Sequence, residues 1–248
     1  MIDPNTIMRI VKQAHLKASD VVLEVGPGLG SLTLGLLDTD AHVIAVEIDE
    51  RLAQLLPVTA ARHAPGKNLT VIAADALKPF DVPAQPTHLV ANLPYNLAVP
   101  ILLELLRRFH SISDALVMVQ LEVAQRLAAE PRSESYGAPS IKLAWYGKAE
   151  LAGQISRQVF WPIPNVDSAL VRFRQLSLSR DLTTRDKCFE LIDAAFGQRR
   201  KTLRQSLAKH FGSPELARDA LRAAQIEETA RGEELSISDF LRLAEVSA

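Results

Sequence analysis

Apolar residues in the first two thirds of the chain gather in short runs separated by stretches of helical period. Val21-Val22-Leu23-Glu24-Val25, His42 to Val46, Leu69 to Ala73, Leu89 to Ala91 and Ala115 to Val119 read as buried strands. Ser31 to Leu37, Arg51 to Ala61, Ala98 to Phe109 and Leu121 to Ala129 read as helices around them. Strands alternating with helices need crossover connections, so a parallel sheet is expected. Ahead of it, Asp3-Pro4 followed by Ile7, Ile10 and Val11 predicts an N-cap, a proline in the first turn and an amphipathic helix. Pro131 to Pro139 is a polar, proline-bounded loop that interrupts the rhythm. After it, Glu150 to Gln158 and Ala169 to Gln175 predict two more strands, joined by Phe160-Trp161-Pro162-Ile163-Pro164-Asn165. From about Ser179 the pattern is helical only, with starts at Thr183 with Asp186, Ser213-Pro214, and Ser236 with Asp239. The expected organisation is an α/β domain over residues 1–178 and a small all-helical domain over 179–248.

Composition narrows the class. At 248 residues, 48% hydrophobic and with a formal charge of −1, the chain reads as an ordinary globular enzyme. That balance excludes a protein that grips nucleic acid by overall charge, so any such surface must be local. The single cysteine, Cys188, leaves no internal disulfide and fits a reducing compartment. The six histidines are scattered without metal-ligand spacing, so no metal is expected. No apolar run approaches the ~18 residues of a membrane span, and no signal peptide opens the chain. The expectation is a cytoplasmic protein, monomeric and away from membranes.

The candidate chemistry centres on Asn92-Leu93-Pro94-Tyr95, directly after the run ending at Ala91. Open α/β sheets place ligands at the loops leaving the C-terminal ends of their strands. Pro94 biases Leu93 towards an extended conformation, which can set the Asn92 amide and the Leu93 carbonyl on one point. With Tyr95 as a flat face beside them, the group suits an amino nitrogen on a planar ring, such as that of adenine. A plain strand-ending turn uses the same residue types. Earlier in the chain, Glu24-Val25-Gly26-Pro27-Gly28-Leu29-Gly30 lies between a strand and a helix, where glycines admit a ligand to the backbone and the helix offers free amides. Glu47, ending the second strand, can accept both hydroxyls of a ribose. A dinucleotide fingerprint would want glycine or alanine at position 31, which is Ser31.

The glycine spacing instead resembles the S-adenosylmethionine (AdoMet) site of Rossmann-like class I methyltransferases. Taken in order, the glycine turn, Glu47, Asp75 in Ala73-Ala74-Asp75-Ala76-Leu77 and Asn92-Leu93-Pro94-Tyr95 resemble the ribosomal RNA adenine dimethyltransferases. Phe160-Trp161-Pro162-Ile163-Pro164-Asn165-Val166-Asp167-Ser168 is similar to that family's Phe-x-Pro-x-Pro-x-Val-x-Ser segment, and Phe196-Gly197-Gln198-Arg199-Arg200-Lys201 to its C-terminal signature. The likeness runs from Asp3 to the last helices and leans to the branch that dimethylates two adjacent adenosines near the 3′ end of small-subunit rRNA. It implies a Rossmann-like AdoMet-binding catalytic domain followed by a helical RNA-binding domain. Glu24, Gly26, Gly28, Glu47, Ile48, Asp75, Ala76 and Asn92 would hold AdoMet. Asn92 and Leu93, with Pro94 setting the loop, would hold the adenine amino group between Tyr95 and Phe160. Asp75 could instead be only a turn cap, and Phe160 only a core residue beside Trp161. The family also carries a further N-terminal segment with a Gly-Gln-Asn-Phe-like run that closes over the cofactor. This chain begins at Met1, just before Asp3, a departure that bears on cofactor affinity and turnover.

Between Gln198 and Phe211 stand Arg199, Arg200, Lys201, Arg204 and Lys209 with no acid among them. Such a cluster can neutralise phosphates, and the expected RNA contacts are Arg199, Lys201, Arg204 and Lys209. Leu203, Leu207 and Phe211 at helical spacing would face the core, leaving Arg200 and Arg204 at the edge of that stripe, where a structural role is the alternative. The implied partner is the small ribosomal subunit with its rRNA. Three rivals stand beside this reading. They are the related large-subunit rRNA methyltransferase of macrolide resistance, a DNA adenine methyltransferase, and a non-catalytic assembly factor of the small subunit.

Overall fold

A computed structural model describes residues 2–176, 182–198 and 201–246. Two compact units divide the chain, one formed by residues 1–124 and 149–175, the other by 125–148 and 176–248.

The first unit opens with α1 (Pro4–Ala14), where the Asp3 carboxylate accepts a hydrogen bond from the Thr6 amide at 2.8 Å and Pro4 occupies the first turn. Then follow β1 (Val21–Val25), α2 (Ser31–Leu37), β2 (His42–Glu47), α3 (Glu50–His63), β3 (Leu69–Ala73), β4 (His88–Asn92), α4 (Ala98–Arg108), β5 (Asp114–Gln120) and α5 (Leu121–Leu127). After α6 (Ala138–Ala144), which belongs to the second unit, come β6 (Gly147–Ile155) and β7 (Ser168–Gln175). The seven strands lie in the order β3-β2-β1-β4-β5-β7-β6. β1 to β5 pair in parallel, as the crossovers require, whereas β7 runs antiparallel to β5 with Val117 opposite Val171. The sheet is therefore mixed: the crossover-linked strands are parallel as expected, and the closing strand β7 adds an antiparallel pair. Short runs rich in Val, Ile and Leu form the central strands because both faces are covered. Val22, Leu23, Val43, Ile44, Leu89 and Val117 are all fully buried.

The chain travels outward from β1 to β3 and then crosses to β4 on the other flank of β1. At that reversal the loops leaving β1 and β4 diverge and open a crevice, the usual ligand position in such sheets. Arg172 of β7, buried, clamps the rear of the sheet: it donates to Asp114 of β5 at 3.0 Å and to the backbone carbonyl of Gln13 at the end of α1.

Two boundaries differ from expectation. β6 lies three residues earlier than expected, because Arg157 N donates to the Asp167 carboxylate at 2.9 Å and a short 3-10 turn forms over Arg157–Val159. The loop expected to reach Pro139 ends sooner, since Pro139 sits in the first turn of α6, where its missing N–H costs nothing.

The second unit continues with α7 (Leu182–Phe196), α8 (Leu203–Ser206), α9 (Ala208–Phe211), α10 (Pro214–Ala223) and α11 (Ile237–Val246). Cys188, Leu191, Ile192 and Ala195 give α7 a buried stripe on which α11 packs. Ser213 caps α10 through the Leu216 amide, and Ser236 with Asp239 starts α11 as expected. Thr183 and Asp186 do not start α7; both lie inside it. Segment 125–148, expected in the first domain, belongs to this unit: the buried Tyr136 hydroxyl donates to Leu235 O at 2.9 Å. The expected boundary at 178/179 lies outside the described residues.

Candidate active site

A cleft of about 460 Å³ in the first unit is lined from three segments. Gly26, Glu47 and Ile48 come from the ends of β1 and β2, Asn92, Leu93, Pro94 and Tyr95 from the end of β4, and Phe160, Trp161, Pro162 and Pro164 from the link between β6 and β7.

The first segment follows from the glycine turn. Gly26 adopts φ +69°, and a Cβ there would stand 3.9 Å from the Asn92 carbonyl, so the turn and the end of β4 are close neighbours. Gly30 adopts φ +87°, and a Cβ there would meet Leu56 at 2.5 Å, which only glycine avoids. Glu47 is 5% exposed and tied at both oxygens, Oε2 accepting from Gly28 N at 3.0 Å and Oε1 from Asp49 N at 3.1 Å. Each oxygen keeps a second lone pair for a ligand hydroxyl. Ile48 is exposed beside it and offers an apolar face.

The second segment carries the polar centre. Leu93 N donates to the Met118 carbonyl of β5 at 3.1 Å, and the Leu93 side chain is buried, which fixes the backbone as it leaves β4. The Asn92 Oδ1 atom is buried and has no hydrogen-bond partner among the described residues. A buried acceptor left so costs about 1–3 kcal/mol, which a ligand N–H recovers. Tyr95 is half-buried, and its hydroxyl is held by Ser168 Oγ at 2.8 Å. Ser168 had no role expected of it beyond closing the Phe160–Ser168 segment.

In the third segment Phe160 is 7% exposed and joins the hydrophobic core while also lining the cleft, so both readings of it describe one residue. Trp161, expected only as its neighbour, is 77% exposed on the same cleft.

The remaining expected residues lie apart from the cleft lining. Glu24 is 1% exposed within β1, and burial pushes its carboxyl from an ordinary 4.5 up to about 8. Thr33 opposes that rise, although its hydroxyl makes no hydrogen bond of ordinary geometry, and the Glu47 charge adds to it. Gly28 reaches the site through Glu47. Asp75 caps its own turn, accepting from Leu77 N at 2.9 Å, and Ala76 is buried beside it. In the second unit Lys201 and Lys209 are exposed, whereas Arg204 is paired with Glu228 at 3.6 Å and Glu215 at 3.9 Å. Arg199 lies outside the described residues. The stripe of Leu203, Leu207 and Phe211 is split between α8 and α9; both leucines are buried and Phe211 is half-buried.

A family model described as ribosomal RNA adenine dimethylase matches residues 1–248. The chain belongs to that family. Among relatives of this dimethylase, a protein of Leifsonia xyli subsp. xyli named ribosomal RNA small subunit methyltransferase A is 56% identical over 98% of this chain and 88% of its own length. One of the same name from Thermobifida fusca is 54% identical over 99% of this chain and 86% of its own. A crystal structure of a dimethyladenosine transferase from Plasmodium falciparum superposes with a TM-score of 0.82 at 27% identity, covering 98% of this chain and 95% of that one. The 23S rRNA methyltransferase ErmE superposes at 0.69 with 28% identity, covering 98% and 97%. As a member of the family the dimethylase is an AdoMet-dependent enzyme acting on rRNA, and the cleft fits that cofactor. It combines a carboxylate able to take ribose hydroxyls, an apolar face at Ile48 and an unpartnered buried acceptor at Asn92.

Proposed function

We propose that this dimethylase transfers methyl groups to N6 of two adjacent adenosines near the 3′ end of small-subunit rRNA. The observation that carries the reading is the unpartnered, buried Asn92 Oδ1 in a cleft flanked by Tyr95 and Phe160. An oxygen acceptor between aromatic groups suits the amino group of a planar base. The relatives at 52–56% identity are named for the small subunit, and the higher TM-score of the dimethyladenosine transferase than of the 23S enzyme supports the same branch.

Glu47, Ile48 and the turn at Gly26 and Gly28 would bind AdoMet, with Glu24, Asp75 and Ala76 behind them. AdoMet, when bound, supplies an electrophilic sulfonium methyl. Asn92 Oδ1 and the Leu93 carbonyl accept hydrogens from N6 and draw its lone pair out of the ring. Positive charge grows on that nitrogen during transfer, and the fixed carbonyl dipoles stabilise it without reorganising. Pro94 and the Leu93–Met118 hydrogen bond keep those dipoles in place, which removes part of the entropic barrier. No strong base is required, because the methylated nitrogen is acidic enough to release its proton. Tyr95 and Phe160 offset the cost of unstacking the adenine, each face contributing ~1–3 kcal/mol. Lys201 and Lys209 would meet phosphates. The protein works as a cytoplasmic monomer on the small subunit, without a metal; among the described residues no helix is long and apolar enough to cross a membrane.

The deciding assay supplies labelled AdoMet with unmethylated small subunits, large subunits and DNA in parallel, followed by nucleoside analysis. Dimethyladenosine from small subunits alone is the expected outcome. Label in large subunits or DNA, or in none, would overturn the assignment.

A further inference from the structure

Trp161 is exposed to a degree that the packing of its own segment does not require. At 77% exposure it follows Phe160, at 7%, and both line the cleft. Ile163 and Val166, 62% and 43% exposed, continue the apolar surface along the same link. An indole left in water forgoes the burial of a large apolar face, and rigid aromatic side chains exposed at a binding cleft serve as contact planes.

The backbone beneath this indole is held in advance. Pro162 and Pro164 restrict it on one side. On the other, Arg157 N donates to Asp167 Oδ1 at 2.9 Å, Arg157 Nη1 to Asn165 O at 3.3 Å, and Leu121 N to Asp167 O at 3.0 Å. A contact plane carried on a backbone fixed before binding has only its side-chain rotation left to lose when it is covered.

We propose that Trp161 is a stacking platform for the nucleobase next to the adenine held in the cleft, and so a positioning and specificity residue of the reaction. The inference rests on the reading of the protein as an RNA adenine dimethyltransferase. Drawing one base out of a strand uncovers the face of its neighbour. Phe160 is assigned to the extracted adenine, and the next residue of the protein presents an aromatic plane to the next nucleotide of the strand. With two adjacent adenosines as substrate, the neighbour on the side of the platform is the other adenosine for one of the two target positions, since a fixed plane meets the strand on one side only. The platform therefore favours the tandem substrate over an isolated adenosine.

The test reads a coupling between protein and RNA. Wild type, Trp161→Ala and Trp161→Phe are assayed for methyl transfer onto small ribosomal subunits carrying either the two adjacent adenosines or one adenosine beside a uridine, whose smaller face stacks less. In the wild type the uridine is expected to raise KM about tenfold with kcat little changed. In Trp161→Ala both substrates should show the raised KM, and Trp161→Phe should keep most of the discrimination. Because Trp145, the other tryptophan, is buried, fluorescence of a Trp145→Phe enzyme reports Trp161, and subunits with two adenosines should quench it more strongly. A loss in Trp161→Ala alongside intact discrimination between the substrates would overturn the platform and point to a ribosomal protein as the cover. Unchanged KM values in Trp161→Ala would also overturn it. Failure of the wild type to label any subunit would overturn the functional reading, and the platform with it.

Discussion

Replacing Glu24 by glutamine should make the protein more stable at neutral and alkaline pH, and the size of the effect follows from where the side chain sits. Glu24 is 1% exposed in the middle of the sheet, its Oε2 has no hydrogen-bond partner among the described residues, and burial pushes its carboxyl from 4.5 to about 8. In the unfolded chain the proton leaves near the ordinary value; in the folded one it is held until about 8. Below 4.5 both states are protonated and the group adds no pH dependence. Between the two values the folded state binds the extra proton, so stability falls as pH rises, by about 1.4 kcal/mol per unit of pH, and levels off above the folded value. The whole interval is a loss of at most ~5 kcal/mol, of which roughly 3 kcal/mol has accrued by neutral pH, where the folded-state group is still mostly protonated. Glutamine has nearly the same shape and does not titrate. Urea denaturation of both proteins without AdoMet, from about pH 5 to about pH 9, isolates the effect, because titrating groups that do not interact with Glu24 cancel in the difference. The two stabilities should converge at the acid end and separate up to about pH 8, then run level, with Glu24→Gln the higher. Parallel profiles, or a wild type that stays the more stable at alkaline pH, would refute the reasoning.

Three further outcomes can be measured on the same protein. Tyr95→Ala and Phe160→Ala should each lower methyl transfer by about 5- to 150-fold, the equivalent of one lost stacking face; AdoMet affinity from calorimetry should hold, and equal loss of it would count against the sandwich. Lys201→Glu with Lys209→Glu should weaken RNA binding and flatten its dependence on salt by roughly 1.5 in logarithmic slope, whereas Arg204→Ala, which breaks pairs with Glu228 and Glu215, should act mainly on stability. Arg172→Met should cost about 1–3 kcal/mol, because the Gln13 carbonyl loses its donor and Asp114 its buried partner while keeping Arg174 at 3.6 Å; a denaturation midpoint close to wild type would show the clamp to be dispensable.

How much of this was legible in the sequence depends on the range of the interactions that decide each feature. β1, α2 and β3 have the bounds expected from Val21 to Val25, Ser31 to Leu37 and Leu69 to Ala73, since a run of buried apolar residues between turn-forming neighbours carries its own limits. β6 could not be bounded in that way. Its end is set by Asp167 accepting from Arg157 N across ten residues, and nothing local to Glu150–Gln158 announces that. The same contact helps explain why Phe160 and Trp161 divide as they do. Both are apolar aromatics in sequence, and only the fold decides which enters the core and which faces water. In the second unit the basic residues between Gln198 and Phe211 look alike along the chain, yet Arg204 is paired by acids from beyond position 211 while Lys201 and Lys209 are exposed.

The site was the more legible part because its residues are polar where packing alone would prefer apolar ones. The side chain and N–H of Leu93 show the contrast: one is buried, the other donates to the Met118 carbonyl, and packing accounts for both. Asn92, one residue earlier and at the end of the same strand, keeps a buried oxygen without a partner, and Glu24 keeps another in β1. The two strands are neighbours in the sheet, and the turn at Gly26 brings the end of β1 to within 3.9 Å, Cβ position to carbonyl, of Asn92. Two such groups on adjacent strands represent a loss of folding stability that hydrophobic replacements would avoid. Local rules fail in this way where a structure is arranged for a ligand rather than for itself. The Asn92 acceptor is already desolvated before a base arrives, so in the proposed reaction its dipole would act on the growing charge at N6 without first shedding water. On the proposed reading, the instability retained at the end of β4 and the rate of methyl transfer are two consequences of the same oxygen.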